Sequence, residues 1–219
     1  MHKIGVAILP LGRDEDAYYQ FKIIVIGPSG VGKTMNRADT LEATTKNHMD
    51  ISNRFISSDG TLLKAELWDT DAKATCIAGQ ERYRSVTQSN EIVNGVLLVY
   101  NLTKKETFKA CEDWRKDLEN KVADFEQVQV VLVGNQLDLE EQREVSTEEA
   151  QAYAGYPSYN AALIPLDRHG FEFAEVSAKE GANVETTFQN LMDDLEISSA
   201  ERWGPFVLKG VAANVEVMV

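Results

Sequence analysis

Gly27-Pro28-Ser29-Gly30-Val31-Gly32-Lys33-Thr34 follows directly on the apolar run Phe21-Lys22-Ile23-Ile24-Val25-Ile26, and that order decides how the rest of the chain is read. A Gly-x-x-x-x-Gly-Lys-Thr string after a strand reads as a phosphate cradle. Its glycines let successive backbone N–H groups turn toward an anion, Lys33 supplies a point charge for the outer phosphates, and the Thr34 hydroxyl can ligate Mg²⁺. The plainer reading, a tight glycine turn with no ligand, leaves the order of strand, loop and helix start as an accident.

Composition bounds the remainder. With 219 residues, 43% hydrophobic and 26% charged, the chain suits one domain with decorations. A formal charge of -13 argues against sequence-independent binding to nucleic acid or anionic lipid, since both require basic surface. The two cysteines, Cys76 and Cys111, lie in neither a disulfide framework nor a zinc spacing, which points to a reducing cytosol. His2, His48 and His169 are scattered and suggest no metal site. No apolar run is long enough to span a bilayer, the chain begins Met-His and its end lacks cysteine. The expectation is a soluble, cytoplasmic monomer without a stable membrane anchor.

Taken in order, residues 1–18 are an N-terminal extension, with an apolar strand at Ile4 to Leu9 and an acidic linker. Thr34 to about Thr44 reads as a short, thinly packed helix through Met35, Ala38 and Leu41. Ile51–Ile56 and Leu62–Trp68 flank Asp59-Gly60, a strong hairpin signal. Val96–Tyr100 and Val128–Val133 are continuous apolar runs, as parallel strands covered on both faces require. Between them Phe108, Cys111, Trp114 and Leu118 recur at near-helical spacing, which predicts a crossover helix. Ser146-Thr147-Glu148-Glu149 is a capping box, Phe171–Val176 a further strand, and Val184, Phe188, Leu191 and Leu195 the stripe of a helix that docks on the sheet. Strands alternating with helices predict a doubly wound, mostly parallel six-stranded α/β sheet with extra terminal strands. Its ligand sits beyond the strand carboxyl ends.

Four more strings lie at those ends: Asp69-Thr70, Ala78-Gly79-Gln80-Glu81, Asn135-Gln136-Leu137-Asp138 and Ser177-Ala178-Lys179. Asp69 can hold Mg²⁺ through its water shell, and Gln80 can orient an attacking water for phosphoryl transfer. Asp138 can accept from a base with two adjacent donors, a ring N–H and an exocyclic amine, which describes guanine and not adenine.

With the phosphate loop, these strings make the chain resemble a Ras-like small GTPase, and within that superfamily a Rab. Lys64–Trp68, Gly79–Ser85, Leu98–Thr103 and Val176–Val184 carry the likeness as well, from about Tyr18 to Leu195. The resemblance implies a P-loop G domain over 19–198 that binds GDP and GTP with Mg²⁺, with effector or regulatory proteins as partners. Gly27, Ser29, Gly30, Val31, Gly32, Lys33 and Thr34 would hold phosphates, joined by Gly79 at the γ-phosphate. Asn135, Gln136 and Asp138 would hold the base, with Ser177, Ala178 and Lys179 beside it. Lys33 and Gln80 would be the catalytic pair, and Thr34, Asp69 and a switch threonine the metal set.

The departures fall on the switches. No Thr-Ile-Gly follows the first helix, and the nearest candidates for the switch threonine are Thr44 and Thr45. Asp71 to Ile77 separate Asp69-Thr70 from Ala78-Gly79-Gln80, which leaves open whether Gln80 stays in the site. Gln136 replaces the lysine that covers the base in the family. A second insertion runs from Gly155 to about Gly170. The extension 199–219 carries alternating Val215, Val217 and Val219, expected to pair with the N-terminal strand. These features predict slow hydrolysis or none. The alternatives are a catalytically inactive or engineered Ras-like scaffold and, against Asn135-x-x-Asp138, a P-loop ATPase.

Overall fold

The computed structural model describes residues 19–33, 43–46, 49–58, 61–69, 92–122, 124–155 and 170–207. Among them seven strands form one sheet in the order β2-β3-β4-β1-β5-β6-β7. The strands are β1 (Tyr19–Ile26), β2 (Ala43–Lys46), β3 (Met49–Ser58), β4 (Thr61–Asp69), β5 (Gly95–Asn101), β6 (Gln129–Asn135) and β7 (Glu172–Glu175), and the helices are α1 (Lys105–Lys121), α2 (Thr147–Ala154) and α3 (Val184–Val207). Strands β4, β1, β5, β6 and β7 run parallel, whereas β2–β3 and β3–β4 are antiparallel.

The apolar runs bury on both faces because helices cover both. On one face Ile24, Val96, Leu98, Tyr100, Val130 and Leu132 pack with Phe108, Cys111 and Leu118 of α1 and with Ala150 and Ala154 of α2. On the other, Ile23, Val25, Leu97, Val99, Val131 and Val133 pack with Phe188, Leu191, Met192 and Leu195 of α3. The expected stripes of α1 and α3 are therefore their packing faces. Ser146 caps α2 by accepting the Glu149 N–H at 3.1 Å, and Ser58 pairs with Thr61 across the predicted hairpin. No helix among the described residues is long and apolar enough to cross a membrane.

The doubly wound, mostly parallel class holds, with one strand more in the sheet than its count. Helix cannot extend over 34–44 as expected, because Ala43 and Thr44 belong to β2. That four-residue strand is defined by pairing with Ser52 to Met49 of β3, a partner its own composition does not reveal. The expected terminal strands, residues 71–77 and most of the 155–170 insertion lie outside the described residues.

Strand β1 lies between β4 and β5, so the chain's order reverses there and a crevice opens beyond its carboxyl end. Asp69, Asn135 and Glu175 close their strands at that same end.

Candidate functional site

The loop that leaves β1 turns through Gly27, Gly30 and Gly32 with φ of 139°, 78° and 92°, values open to glycine at little cost. A Cβ on Gly27 would land on the Val99 carbonyl oxygen of β5, and one on Gly32 on the Asn135 side-chain nitrogen. The exposed Ser29 forms the tip of the loop. Lys33 is buried and folds back, its Nζ donating to Gly27 O at 2.8 Å and Pro28 O at 2.6 Å. Lys33 thus places a buried ammonium beside a glycine-rich turn, a combination that suits an anion.

Asn135 ties this loop to the rest of the site. Its side chain is buried, and its Nδ2 donates to Val31 O at 2.8 Å while Oδ1 accepts the Gln136 N–H at 2.8 Å and the Ala178 N–H at 3.0 Å. One amide thus fixes three segments that are far apart in sequence. A base carbonyl directed at the Ala178 N–H would share that donor with Asn135.

Gln136 adopts the left-handed conformation, φ 72°, and sends the chain into the turn Leu137–Gln142. Its Oε1 lies 3.5 Å from the Thr103 hydroxyl. Asp138 Oδ1 accepts the Ser177 hydroxyl at 2.7 Å, and Oδ2 lies 3.4 Å from Lys179 Nζ. Above all, the Ser177 hydrogen bond holds the Asp138 carboxyl below the usual carboxylate range, which keeps it an acceptor at neutral pH. Ser177 also accepts the Glu180 N–H at 3.2 Å, and the Leu137 N–H donates to Val176 O at 3.0 Å. Two loops are thereby zipped edge to edge.

Asp69 ends β4 in register with Val25 of β1, and it lines the same pocket as Gly32, Lys33 and Asn135. A sequence model of the Ras family matches residues 22–197. The chain belongs to the Ras family. It is 38% identical over 189 residues to the Ras-related protein YPTC6 of Chlamydomonas reinhardtii, covering 83% of this chain and 78% of that one. It is 35% identical over 191 residues to the Ras-related protein Rab-11A of Dictyostelium discoideum, 84% of this chain and 79% of the relative. Against the Ras-related protein RABA2a of Arabidopsis thaliana the identity is 36% over 189 residues, 83% and 77% of the two chains. The chain is therefore a Rab-like small GTPase domain of P-loop type.

In this Ras-family chain the residues expected at the phosphates and base that are described, Gly27 to Lys33, Asn135 to Asp138 and Ser177 to Lys179, gather at one end of the sheet. Thr45 does not join them. It sits on edge strand β2, in the row Thr45–Asp50–Asp69–Val25, three strand spacings or roughly 14 Å from β1. Thr34, Gly79 and Gln80 lie outside the described residues. Two features escape reading by motif: the linking role of Asn135, and an ion pair between Arg143 and Glu175, 32 residues apart in sequence. The proximity of Glu175 to Ser177 was the one available signal for the latter.

Proposed function

We propose that this Ras-family chain binds guanine nucleotide, GDP or GTP with Mg²⁺, and hydrolyses GTP slowly or not at all. The observation that carries the reading is the Asn135 side chain bonded at once to the phosphate loop and to the Ala178 N–H. It would join a phosphate cradle to the loop that carries an ionised Asp138. Asp138 would accept from the ring N–H and amine of guanine, a pattern adenine lacks, which also speaks against an ATPase. Residues 19–198 would form the nucleotide domain, and proteins that distinguish its nucleotide states would be its partners.

The donor set suits Mg²⁺. Asp69 offers hard carboxylate oxygens beside the loop of Lys33, and among the described residues no three His, Cys, Asp or Glu side chains gather into a larger cage. Mg²⁺ bound mainly by nucleotide phosphates asks for one or two protein oxygens, here Asp69 through water and Thr34. When bound it would neutralise phosphate charge. Lys33 would hold the phosphates in place, and Gln80 would orient water.

Identification of the nucleotide that copurifies, with calorimetric titration of GDP and ADP, tests the binding. Equal affinities would sink it. The separation of Asp69 from Gln80 by an inserted segment favours a second reading, a nucleotide-binding scaffold without turnover. Single-turnover hydrolysis by the parent chain and by a variant lacking residues 71–77 separates the two. We expect a faster rate in the shortened chain, since water must be aligned with the γ-phosphate. Equal rates from the two chains would show that the insertion is no brake.

A further inference from the structure

We propose that Arg143 is a positioning residue for base discrimination, locking the loop that carries Asp138 to the strand end that carries Ser177. The inference rests on the guanine-nucleotide reading above and adds the element that would make its selectivity possible.

Arg143 closes the turn that begins after Gln136. Its Nε and Nη2 donate to Glu140 Oε1 and Oε2, each at 2.7 Å. Its Nη1 and Nη2 donate to Glu175 Oε1 and Oε2 at 2.6 and 2.9 Å, and Nη1 also reaches Val145 O at 3.1 Å. These bonds account for all five guanidinium N–H groups. The central pair is well shielded, with Arg143 16% and Glu175 14% exposed, whereas Glu140 is 60% exposed. Thr147 at the start of α2 adds a hydrogen bond to Glu175 Oε1 at 3.1 Å.

The location of this clamp gives it a purpose. Glu140 lies two residues beyond Asp138, and Glu175 two residues before Ser177. The same two segments are linked by side chains, through Ser177 Oγ to Asp138 Oδ1 at 2.7 Å and through the Arg143–Glu175 fork, and by backbone, through the Leu137 N–H to Val176 O at 3.0 Å. Strand β7 pairs with β6 at four positions and ends at Glu175, and just past it the Val176 N–H donates to Gly134 O at 2.8 Å. A carboxylate that must meet two donors of a purine tolerates little displacement. A bidentate charge-assisted pair adds side-chain rigidity to those backbone bonds, and the phosphate loop is tied to the site through Asn135 rather than Arg143.

The test is release of fluorescently labelled GDP, with affinities for GDP, ADP and pyrophosphate, in the parent chain and in Arg143→Ala, Arg143→Lys and Glu175→Gln. In Arg143→Ala we expect GDP release about tenfold faster, a similar fall in the GDP-to-ADP affinity ratio, and unchanged pyrophosphate affinity. Arg143→Lys, which keeps the charge but cannot form the fork, should fall between the parent and Arg143→Ala. If Arg143→Ala does not fold, the two milder variants carry the same measurements. Pyrophosphate affinity that falls in step with GDP would mean a general loss of structure and overturn the proposal. So would parent-like release and discrimination in both milder variants. A parent chain that holds GDP and ADP equally would overturn the guanine reading itself, an outcome visible before any variant is made.

Discussion

The proposed phosphate half and the proposed base half of this site are built in different ways. The phosphate half is one contiguous stretch, shaped by three glycines of positive φ and a lysine that bonds to its own loop. The base half is assembled from the ends of β6 and β7, and side chains hold it: Asn135 on Ala178, Ser177 on Asp138, Arg143 on Glu175. Backbone conformation determines the first, so its chemistry is blind to the base. Tertiary contacts determine the second, so its selectivity depends on residues distant in sequence.

The largest effect should come from breaking the phosphate half. Lys33→Ala removes the buried ammonium, and we expect GDP and pyrophosphate to weaken together, by about a hundredfold. Titration calorimetry with both ligands checks this, and a loss confined to GDP would mean that Lys33 serves the base half. Asp138→Asn attacks the other half. It exchanges one acceptor oxygen for a donor, so preference should move from guanine to xanthine nucleotide by about tenfold or more. Competition between GDP and XDP reads the shift, and pyrophosphate affinity should not follow it.

Gln136→Lys should sharpen the base half. Gln136 keeps an aliphatic stem in the left-handed position but lacks a charge, and a cation over a ring is worth roughly 0.5 to 2 kcal/mol. GDP affinity should rise about three- to thirtyfold, with no change for pyrophosphate. An unchanged GDP affinity would show that residue 136 does not cover the base.

The smallest effect concerns pH. Partial loss of water around its carboxyl, and then the nearby Asp194, push Glu172, an exposed residue at the start of β7, from 4.5 up to about 7. The folded chain therefore holds a proton there that the unfolded chain releases between these values. Stability from this group is present below 4.5 and declines as pH rises to about 7. Glu172→Gln should abolish that decline, so thermal midpoints of parent and variant, compared at acid and neutral pH, should diverge as pH rises. Parallel midpoints would remove Glu172 as a source of pH dependence in stability.

The fold was legible where a segment's pattern needs no distant partner. The apolar runs of β1, β5 and β6 could only be strands covered twice, and the stripes of α1 and α3 prescribed which face each would bury. Strand β2 was not legible, since Ala43 to Lys46 has no alternation and owes its form to β3. Much the same division runs through the site. Asp138 announces itself by spacing after Asn135, yet it is held by Ser177, and the neighbouring clamp joins Arg143 to a glutamate 32 positions away.

By itself the amino-acid sequence determined the phosphate loop, the strand and helix order and the acceptor chemistry offered to a base. These follow from backbone freedom at glycine, hydrophobic periodicity and the identity of single side chains, all local properties. Only the tertiary structure decided that Asn135 joins the two halves, that Thr45 stands on an edge strand away from β1, and that Arg143 and Glu175 meet. Charged and amide side chains find partners by direction and distance, which are set once the sheet has brought remote strand ends to the same place.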